Sequence, residues 1–345
     1  MEIKELRLRN FRNHVNRRQV FTPALNVIVG ANGTGKSNLI EAVTLLSTTK
    51  SFRNADNPQL ITFGQQTAIA EAQITDHRLK VAIFSQGKTY HCDNNHIKLS
   101  SDYIGVFQTV TFSPHDLLFA ENPPKLRRRF IDSELSKIDP LYLRRLREYN
   151  NLLKNRNAFL KQDNVDEELW AVLDEKLAKL MVELTNRRRE YVEAINQHFT
   201  VKLRQLLSTE EVRIDYLAEC QRAGYDEVLK QLRGWHIRDQ LSKQTNFGTH
   251  RDDYRICYDK QPIEGYCSQG QTRLIMLALK LVLAELVEQT VNRKPVLLLD
   301  DVLSELDLEH QNKLLKLIVP RNQTLLTATH LDQGLNAFAK NIIRL

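Results

Sequence analysis

The sequence predicts an α/β fold in which a parallel sheet with flanking helices carries an antiparallel β patch and an inserted helical segment. Three observations predict it. A short apolar run leads into a glycine-rich loop and a helix near the N-terminus, further apolar runs near the C-terminus end in polar residues, and helical spacing dominates between them. A chain of 345 residues is long for a single core, so we expect two lobes.

The composition is that of a globular protein, with 26% charged residues, and a formal net charge of +7 fits a polyanionic partner. No apolar run approaches the ~20 residues needed to span a bilayer, and the N-terminus lacks the apolar region of a signal peptide. We therefore expect a cytoplasmic protein without a membrane partner.

The cysteines indicate neither a disulfide framework nor a zinc site, because no two of them form a CxxC pair. The residues concerned are Cys92, Cys220, Cys257 and Cys267. The only metal-like cluster combines His91 and Cys92 with His96, and scattered polar loop residues explain it better.

The glycine-rich loop follows an apolar run at 25–29 and matches the pattern GxxxxGK[ST]. It consists of Gly30, Ala31, Asn32, Gly33, Thr34, Gly35, Lys36 and Ser37, with Asn38 after it. Glycines at these positions let main-chain N–H groups turn inward on an anion, and the positive end of the following helix adds to the attraction. Lys36 would reach the β- and γ-phosphates, and the Ser37 hydroxyl would ligate Mg²⁺. The loop predicts binding of a nucleoside triphosphate.

Residues 1–30 read as two strands with interleaved arginines, and residues 1–60 hold nine Lys or Arg against four Asp or Glu. DNA contact and a solvated sheet edge explain this pattern equally well. Short alternating segments between residues 67 and 97 predict an antiparallel patch, and 106–112 predicts one more strand.

No glycine occurs between Gly105 and Gly224, and apolar residues there recur at helical spacing. The spacing predicts one helix that ends before Pro140, a second over about 143–153, and a third over about 167–207 that would measure roughly 60 Å. Basic clusters at 127–129, 144–147 and 187–189 are explained by a charged helical surface, and they are also our candidates for contacts outside the lobe that carries the phosphate loop. We therefore divide the chain into 1–122, an inserted helical arm at 123–208, and 209–345.

The alternating pattern returns at 212–216 and 254–258, and a dense polar loop lies between these segments. An apolar helix follows Ser268-Gln269-Gly270-Gln271, and these four residues match a capping box at its start. The positive N-terminal end of that helix could also hold a γ-phosphate. An apolar strand at 296–299 ends in Asp300 and Asp301, and carboxylates at that end of a strand can hold Mg²⁺ and orient water. A final apolar strand at 324–328 runs on to His330.

In this order the motifs resemble those of the ATP-binding-cassette ATPases, in the branch that holds the chromosome-maintenance (SMC) and recombination heads. Three features resemble the RecF family of bacterial recombination mediators: Gly-Thr-His-Arg-Asp-Asp at 248–253, SQGQ in place of LSGGQ, and two aspartates in place of DE. Thr249 stands where we expect the family's proline, which would lower the rigidity of the loop.

The resemblance implies roles for individual residues. Residues 30–38, Ser268, Gln269, Gly270, Gln271 and Asp307 would contact ATP. Ser37 and Asp300 would ligate Mg²⁺, with Gln108 as our candidate for the Q-loop glutamine. Lys36, Asp301 and His330 would be catalytic, and Asp301, one methylene shorter than the usual glutamate, implies slow hydrolysis.

The resemblance further implies a weak DNA-dependent ATPase used as a switch in recombinational repair. ATP would drive a head-to-head homodimer that binds double-stranded and gapped DNA and, with RecO and RecR, promotes RecA loading and SOS induction. A transporter's nucleotide-binding subunit, a short SMC-like structural ATPase and a kinase are the alternatives. The long insertion and the SQGQ sequence in place of LSGGQ, the family's signature motif, speak against the first alternative, and the short arm speaks against the second. The joint presence of SQGQ, Ser-Glu-Leu-Asp at 304–307 and His330 speaks against the third.

Overall fold

The computed structural model describes residues 1–162, 166–207, 211–220 and 224–345, and these form two compact units. Unit 1 comprises residues 1–118, 198–210 and 267–345, and unit 2 comprises 119–197 and 211–266. Among the described residues, no helix combines the length and the apolar character that crossing a membrane requires.

The strands are β1 Ile3–Phe11, β2 His14–Val20, β3 Leu25–Val29, β4 Thr67–Ile74, β5 Arg78–Phe84, β6 Gly87–Cys92, β7 Asn95–Ile97, β8 Thr109–Phe112, β9 Val212–Leu217, β10 Asp253–Tyr258, β11 Gln261–Pro262, β12 Val296–Leu299, β13 Thr324–Ala328 and β14 Asn341–Arg344. The α-helices are α1 Lys36–Thr48, α2 Asn57–Leu60, α3 Ser100–Tyr103, α4 Pro124–Ile138, α5 Pro140–Phe159, α6 Glu167–Arg204, α7 Tyr225–Gly234, α8 His236–Ser242, α9 Gln269–Val291, α10 Leu308–Ile318 and α11 Gln333–Phe338. Short 3₁₀ helices occupy Pro114–Phe119 and Leu303–Glu305.

Unit 1 contains two sheets with α1 between them. A parallel sheet has the strand order β14-β3-β13-β12-β8, and an antiparallel sheet has the order β2-β1-β4-β5-β6-β7. Because α1 packs against strands of both sheets, ten of its thirteen residues are buried, which explains why its sequence lacks a polar face. The predicted antiparallel patch and the predicted buried strands at 25–29 and 296–299 are confirmed.

Unit 2 contains α4, α5, the first part of α6 and the three-stranded sheet β11-β10-β9. The predicted helix that ends before Pro140 and the long third helix are confirmed, although α6 ends at Arg204. Residues 211–266, which we expected in the ATPase lobe, group instead with the helical arm, because β10 packs on α4 and Asn196 of α6 hydrogen-bonds both main-chain groups of Ile214 on β9. The predicted boundary between residues 208 and 209 lies outside the described residues.

Several arginines of the predicted basic clusters are interior residues of unit 2. Arg188 is 2% exposed, and it forms ion pairs with Asp132 and Asp252 at 2.9 and 2.7 Å. Arg127 pairs with Asp253 at 2.6 Å, and Arg128 donates to the Asp252 carbonyl. These three side chains are used inside the unit, whereas Arg129, Arg144 and Arg187 of the same clusters are exposed, so contacts made by the clusters outside the ATPase lobe stay a prediction.

The loop at 248–253 is part of this interior. Arg188 also donates to the Thr249 carbonyl at 2.8 Å, while Asp252 accepts from the Tyr216 hydroxyl at 2.5 Å. At Gly248, φ is +138°, and an added Cβ would lie 2.4 Å from Met181 Cε, so only glycine fits there. The motif that carried part of the resemblance thus contributes buried residues, Thr249 and Asp252 among them, to the interior of unit 2.

Candidate functional site

The phosphate loop connects β3 to α1 at the carboxyl edge of the parallel sheet. Gly33 and Gly35 have φ values of +85° and +100°, which glycine adopts without strain. Lys36 is 9% exposed, and its Nζ donates to the carbonyls of Gly30 and Ala31 at 2.6 and 2.9 Å. The ammonium therefore lies within the curve of the loop, where an anionic ligand would meet it.

The turn between β1 and β2 supports the loop from outside. His14 Nε2 donates to the Gly35 carbonyl at 3.1 Å, and Asn13 accepts from Asn38 at 2.8 Å. Burial lowers the pKa of His14, which keeps the ring neutral and suited to this contact. A Cβ at position 35 would lie 2.6 Å from Asn13 Oδ1, so the tight fit of the turn is a second reason for glycine there.

Asp300 follows β12 at the same edge and is 4% exposed. Its carboxylate accepts hydrogen bonds from the Ser37 hydroxyl and, at 3.0 Å, from Thr327 Oγ1, and Arg53 Nη2 lies 3.8 Å from Oδ2. Burial raises the pKa of Asp300, and the bonds from Ser37 and Thr327 oppose that rise. The structure thus places the Ser37 hydroxyl next to the Asp300 carboxylate, where both could bind one ion.

The donor set at this contact fits Mg²⁺. A hydroxyl oxygen and a carboxylate oxygen are hard ligands, and Mg²⁺ is commonly held by one or two such protein groups together with substrate phosphates. Lys36 and the N-terminus of α1 would face those phosphates. Ser37, Asp300 and Lys36 together can hold a nucleotide with its metal ion.

Asp301 and His330 lie at the same edge and are exposed. Asp301 has a φ of +53°, a left-handed conformation that is uncommon for a residue with a Cβ, and its N–H donates to Thr327 Oγ1 at 2.8 Å. His330 follows β13 by two residues, and its Nδ1 lies 3.0 Å from the Thr329 hydroxyl. Both side chains are accessible to a bound substrate and to water.

Ser268 caps α9 as the sequence predicts. Its hydroxyl accepts from the Gln271 N–H at 3.2 Å, and Gln271 Oε1 accepts from the Ser268 N–H at 2.9 Å. Ser268, Gln269 and Gly270 remain exposed. Asp307 likewise caps α10 through the His310 N–H and is exposed. Capping therefore explains the local geometry, and both motifs are still available to a ligand or a second chain.

Gln108 does not join this group. Its carbonyl accepts from the N–H of Val296, the first residue of β12, whereas Asp300 follows the last residue of that strand. Because β8 and β12 are parallel, Gln108 lies at the opposite edge of the sheet, about four residues or ~13 Å from Asp300. The expectation that Gln108 ligates the metal ion is therefore corrected. Ser113 and Asp116, which follow β8, are the residues that line a pocket with Asp300 and Asp301.

Three residues at this site escaped the sequence analysis: His14, Arg53 and Thr327. Arg53 donates to Asn38 Oδ1 at 3.1 Å and approaches Asp300, but no spacing in the sequence indicates either contact. The sequence did contain one indication of Thr327, because it is a polar residue inside an apolar strand that leads to His330. Its alignment with Asp300 appears only once β12 and β13 are paired.

The predicted metal-like cluster is rearranged. Among the described residues, Cys92 groups with His77 and Asp93, rather than with His91 and His96, as a set that could hold an ion. Asp93 accepts from the Arg78 N–H at 2.8 Å and contacts His77 Nδ1 at 2.5 Å, and burial raises the pKa of the Cys92 thiol. Turn hydrogen bonds account for these contacts, and the residues predicted to lie in loops lie in strands instead, His91 and Cys92 in β6 and His96 in β7.

Comparison with known proteins covers nearly the whole chain. Residues 2–344 match the family described as the RecF/RecN/SMC N terminal domain. The chain is 39% identical to the DNA replication and repair protein RecF of Lachnoclostridium phytofermentans, over 97% of this chain and 95% of that protein. It is 36% identical to the RecF of Leptospira interrogans, over 96% and 93% of the two chains.

Solved structures agree with these relatives. A structure of the recombination mediator protein RecF with ATP, in the RecFOR pathway, matches with a TM-score of 0.90 at 31% identity, covering 96% of this chain and 92% of that one. An SMC head from Pyrococcus furiosus matches at a TM-score of 0.55 and 18% identity, which supports the fold alone. The predicted fold class, an ATP-binding-cassette type of ATPase lobe with an inserted helical arm, is confirmed, and the chain belongs to the RecF family.

Proposed function

We propose that this protein is an ATP-dependent DNA-binding protein of recombinational repair and replication, working in the cytoplasm. The contact between Ser37 and Asp300 carries the proposal, because it joins the phosphate loop to the carboxylate that would share its metal ion. The matched relatives are named DNA replication and repair proteins, and a neighbouring structure holds ATP.

The reaction proposed is hydrolysis of ATP to ADP and phosphate. Lys36 and the N-terminus of α1 bind the phosphates, and Ser37 and Asp300 would hold Mg²⁺, which would neutralise negative charge on the phosphates. Asp301 orients the attacking water and accepts its proton, and His330 contacts the γ-phosphate. Because Asp301 is short and held in a left-handed conformation, we expect hydrolysis to be slow and to serve as a switch.

We propose that ATP also joins two copies of the chain. Ser268, Gln269 and Gly270 are exposed, as are Asp307 and Leu308, of which Leu308 is 68% exposed. In the proposed dimer these groups of one protomer cover the nucleotide held by the other. The dimer binds double-stranded and gapped DNA mainly through phosphate contacts, and it cooperates with RecO and RecR in loading RecA and inducing the SOS response.

Substitution of Ser268 by arginine tests this assembly. Ser268→Arg places a bulky cation at the exposed N-terminus of α9, so we expect ATP binding to persist while ATP-driven dimerisation is lost. Light scattering with and without ATP and Mg²⁺ measures the mass, and binding of a fluorescent ATP analogue measures the affinity. Lys36→Arg, which alters the phosphate loop itself, serves as the comparison variant.

Repeating the measurement with a gapped duplex tests DNA retention. A wild-type monomer that becomes a dimer only with ATP and Mg²⁺, and then retains DNA, supports the proposal. If Ser268→Arg still forms as much dimer with ATP as the wild type, the proposed role of residues 268–271 in dimerisation is wrong. A wild-type mass unchanged by ATP, with no DNA retained, would leave only the nucleotide site.

A further inference from the structure

Thr327 occupies a central position in the parallel sheet. It lies in β13 between β3, which leads to the phosphate loop, and β12, which leads to Asp300. Its partner across β3 is Ile28, and its neighbour Leu326 pairs with Leu299, the residue before Asp300. Its side chain is 2% exposed. Thr327 is therefore within reach of both Asp300 and Asp301 without facing solvent.

One hydroxyl makes both contacts. Thr327 Oγ1 donates to Asp300 Oδ1 at 3.0 Å and accepts from the Asp301 N–H at 2.8 Å. A threonine hydroxyl has one donor and two acceptor sites, so a single side chain can serve a carboxylate and an amide at once. The first contact fixes the orientation of the carboxylate, and the second fixes the main chain of the next residue.

The second contact falls where the main chain is strained. Asp301 has a φ of +53°, and non-glycine residues keep such strained conformations only where neighbouring groups hold them. The Asp301 N–H is held by Thr327, and its carbonyl accepts from the Ser304 hydroxyl at 3.1 Å. The position of the Asp301 carboxylate therefore depends on Thr327.

Packing alone does not explain a threonine here. The neighbouring buried positions of β13 hold Leu325 and Leu326, and valine has the shape and β-propensity to fill position 327. What valine lacks is the hydroxyl, and both of the hydroxyl's hydrogen bonds go to the two residues proposed to hold the metal ion and to orient water.

We infer that Thr327 is a positioning residue for ATP hydrolysis, which aligns Asp300 for the metal ion and Asp301 for the attacking water through one hydroxyl. The inference rests on the proposed ATPase function. It makes Thr327 a link between the strand that ends at His330 and the strand that ends at Asp300.

Three variants test it. Thr327→Val removes the hydroxyl while keeping the shape, Thr327→Ser keeps the hydroxyl, and Thr324→Val is the matched control. Thr324 is buried at the amino end of the same strand, where its hydroxyl donates to the Asn322 carbonyl at 3.2 Å. Each protein is assayed for kcat and KM of ATP hydrolysis, for the Mg²⁺ concentration that gives half-maximal binding of a fluorescent ATP analogue, and for thermal unfolding without nucleotide.

We expect Thr327→Val to lower kcat by roughly 10- to 100-fold while KM changes less than about 3-fold, because misplaced groups cost rate more than binding. The Mg²⁺ requirement for nucleotide binding rises several-fold in the same variant. Thr327→Ser and Thr324→Val stay close to the wild type in both measurements. Should Thr327→Val fail to fold, Thr327→Ala carries the same comparison with less steric demand.

Wild-type kcat and Mg²⁺ requirement in Thr327→Val would overturn the inference, as would an equal loss in Thr327→Ser or Thr324→Val. Failure of the proposed function has a different signature, namely a wild-type protein that hydrolyses no ATP. In that case the Mg²⁺ dependence of nucleotide binding still decides whether Thr327 orients Asp300.

Discussion

The carboxyl edge of the parallel sheet in unit 1 and the interior of unit 2 both bring carboxylates close to basic side chains. The two regions differ in how far these charges are neutralised by direct ion pairs. In unit 2, Arg156 is fully buried between Asp174 and Asp239, at 2.9 and 2.7 Å. In unit 1, Asp300 is served by two hydroxyls and by Arg53 at 3.8 Å, while Lys36 donates to main-chain carbonyls.

This difference shows how to distinguish charged side chains that stabilise the fold from charged side chains that can bind a ligand. A buried cation that pairs directly with carboxylates stabilises the fold only as long as both partners remain, and its charge is already neutralised, so it has little attraction for a ligand. A buried carboxylate that is hydrogen-bonded mainly to neutral donors can still attract a cation. An ammonium that is hydrogen-bonded to carbonyls can still attract an anion. By this criterion the carboxyl edge of the parallel sheet is the candidate site, and the buried arginines of unit 2 serve the stability of that unit.

The largest expected effect comes from removing a matched charge. Arg188→Met leaves Asp132 and Asp252 without their buried cation, so we expect the free energy of unfolding to fall by about 3–5 kcal/mol. Denaturant unfolding followed by circular dichroism measures it.

Arg187→Met is the matched control for that prediction, because the adjacent guanidinium is 50% exposed and its ion pairs lie at the surface. We expect a loss below about 1 kcal/mol there. Equal losses in the two variants would contradict the assignment of Arg188 to a matched interior network.

A smaller effect should follow pH. Burial lowers the pKa of His250 to about 4, helped by the nearby charges of Arg251 and Arg128 and opposed by the Thr245 carbonyl and Asp239. In the unfolded chain its pKa is about 6.5, so between these values only the unfolded state binds the proton. Stability contributed by neutral His250 is therefore full above pH 6.5 and falls as the pH drops towards 4, by about 3 kcal/mol in total.

The pH effect is measured as the difference between the wild type and His250→Gln in unfolding free energy at pH 7 and pH 4.5. Taking the difference removes the opposite contribution of Asp252, whose pKa burial raises. His115→Gln, at an exposed position of unit 1, should leave the wild-type profile unchanged. An identical slope in the wild type and His250→Gln would show that His250 is not the titrating group.

The smallest effect belongs to an exposed residue of the proposed site. Ser268→Ala removes the cap of α9 and should cost about 1 kcal/mol of unfolding free energy, whereas Ser268→Asp keeps a capping oxygen and should restore it. If Ser268 also faces a γ-phosphate, Ser268→Asp should still weaken ATP-driven dimerisation through repulsion of like charges. Thermal unfolding and light scattering on the same samples separate the two roles.

The sequence was informative where function depends on local order along the chain. The phosphate loop, the capping box at Ser268 and the aspartates after 296–299 each combine residues within a few positions of one another, so motif and strand patterns locate them. The expectation for Gln108 was wrong because the predicted strand at 106–112 begins three residues before β8 does. Gln108 therefore precedes the strand and lies at its amino end.

Other features were beyond the sequence because they depend on contacts between distant segments. Arg188 reads as part of a surface cluster, yet two carboxylates and a carbonyl from other elements make its burial possible. The grouping of 211–266 with the helical arm depends on the packing of β10 on α4. Thr327 required knowledge of strand pairing for the same reason.

The strand order β14-β3-β13 also constrains the order of folding. The strand that carries the phosphate loop hydrogen-bonds on one side to residues 324–328 and on the other to 341–344, near the end of the chain. During synthesis, β3 emerges early and has neither neighbour until residues 324–344 have been made, and such distant pairings form slowly. The phosphate loop therefore lacks its neighbouring strands until then, and deletion of β14 should affect a site more than 300 residues away along the chain.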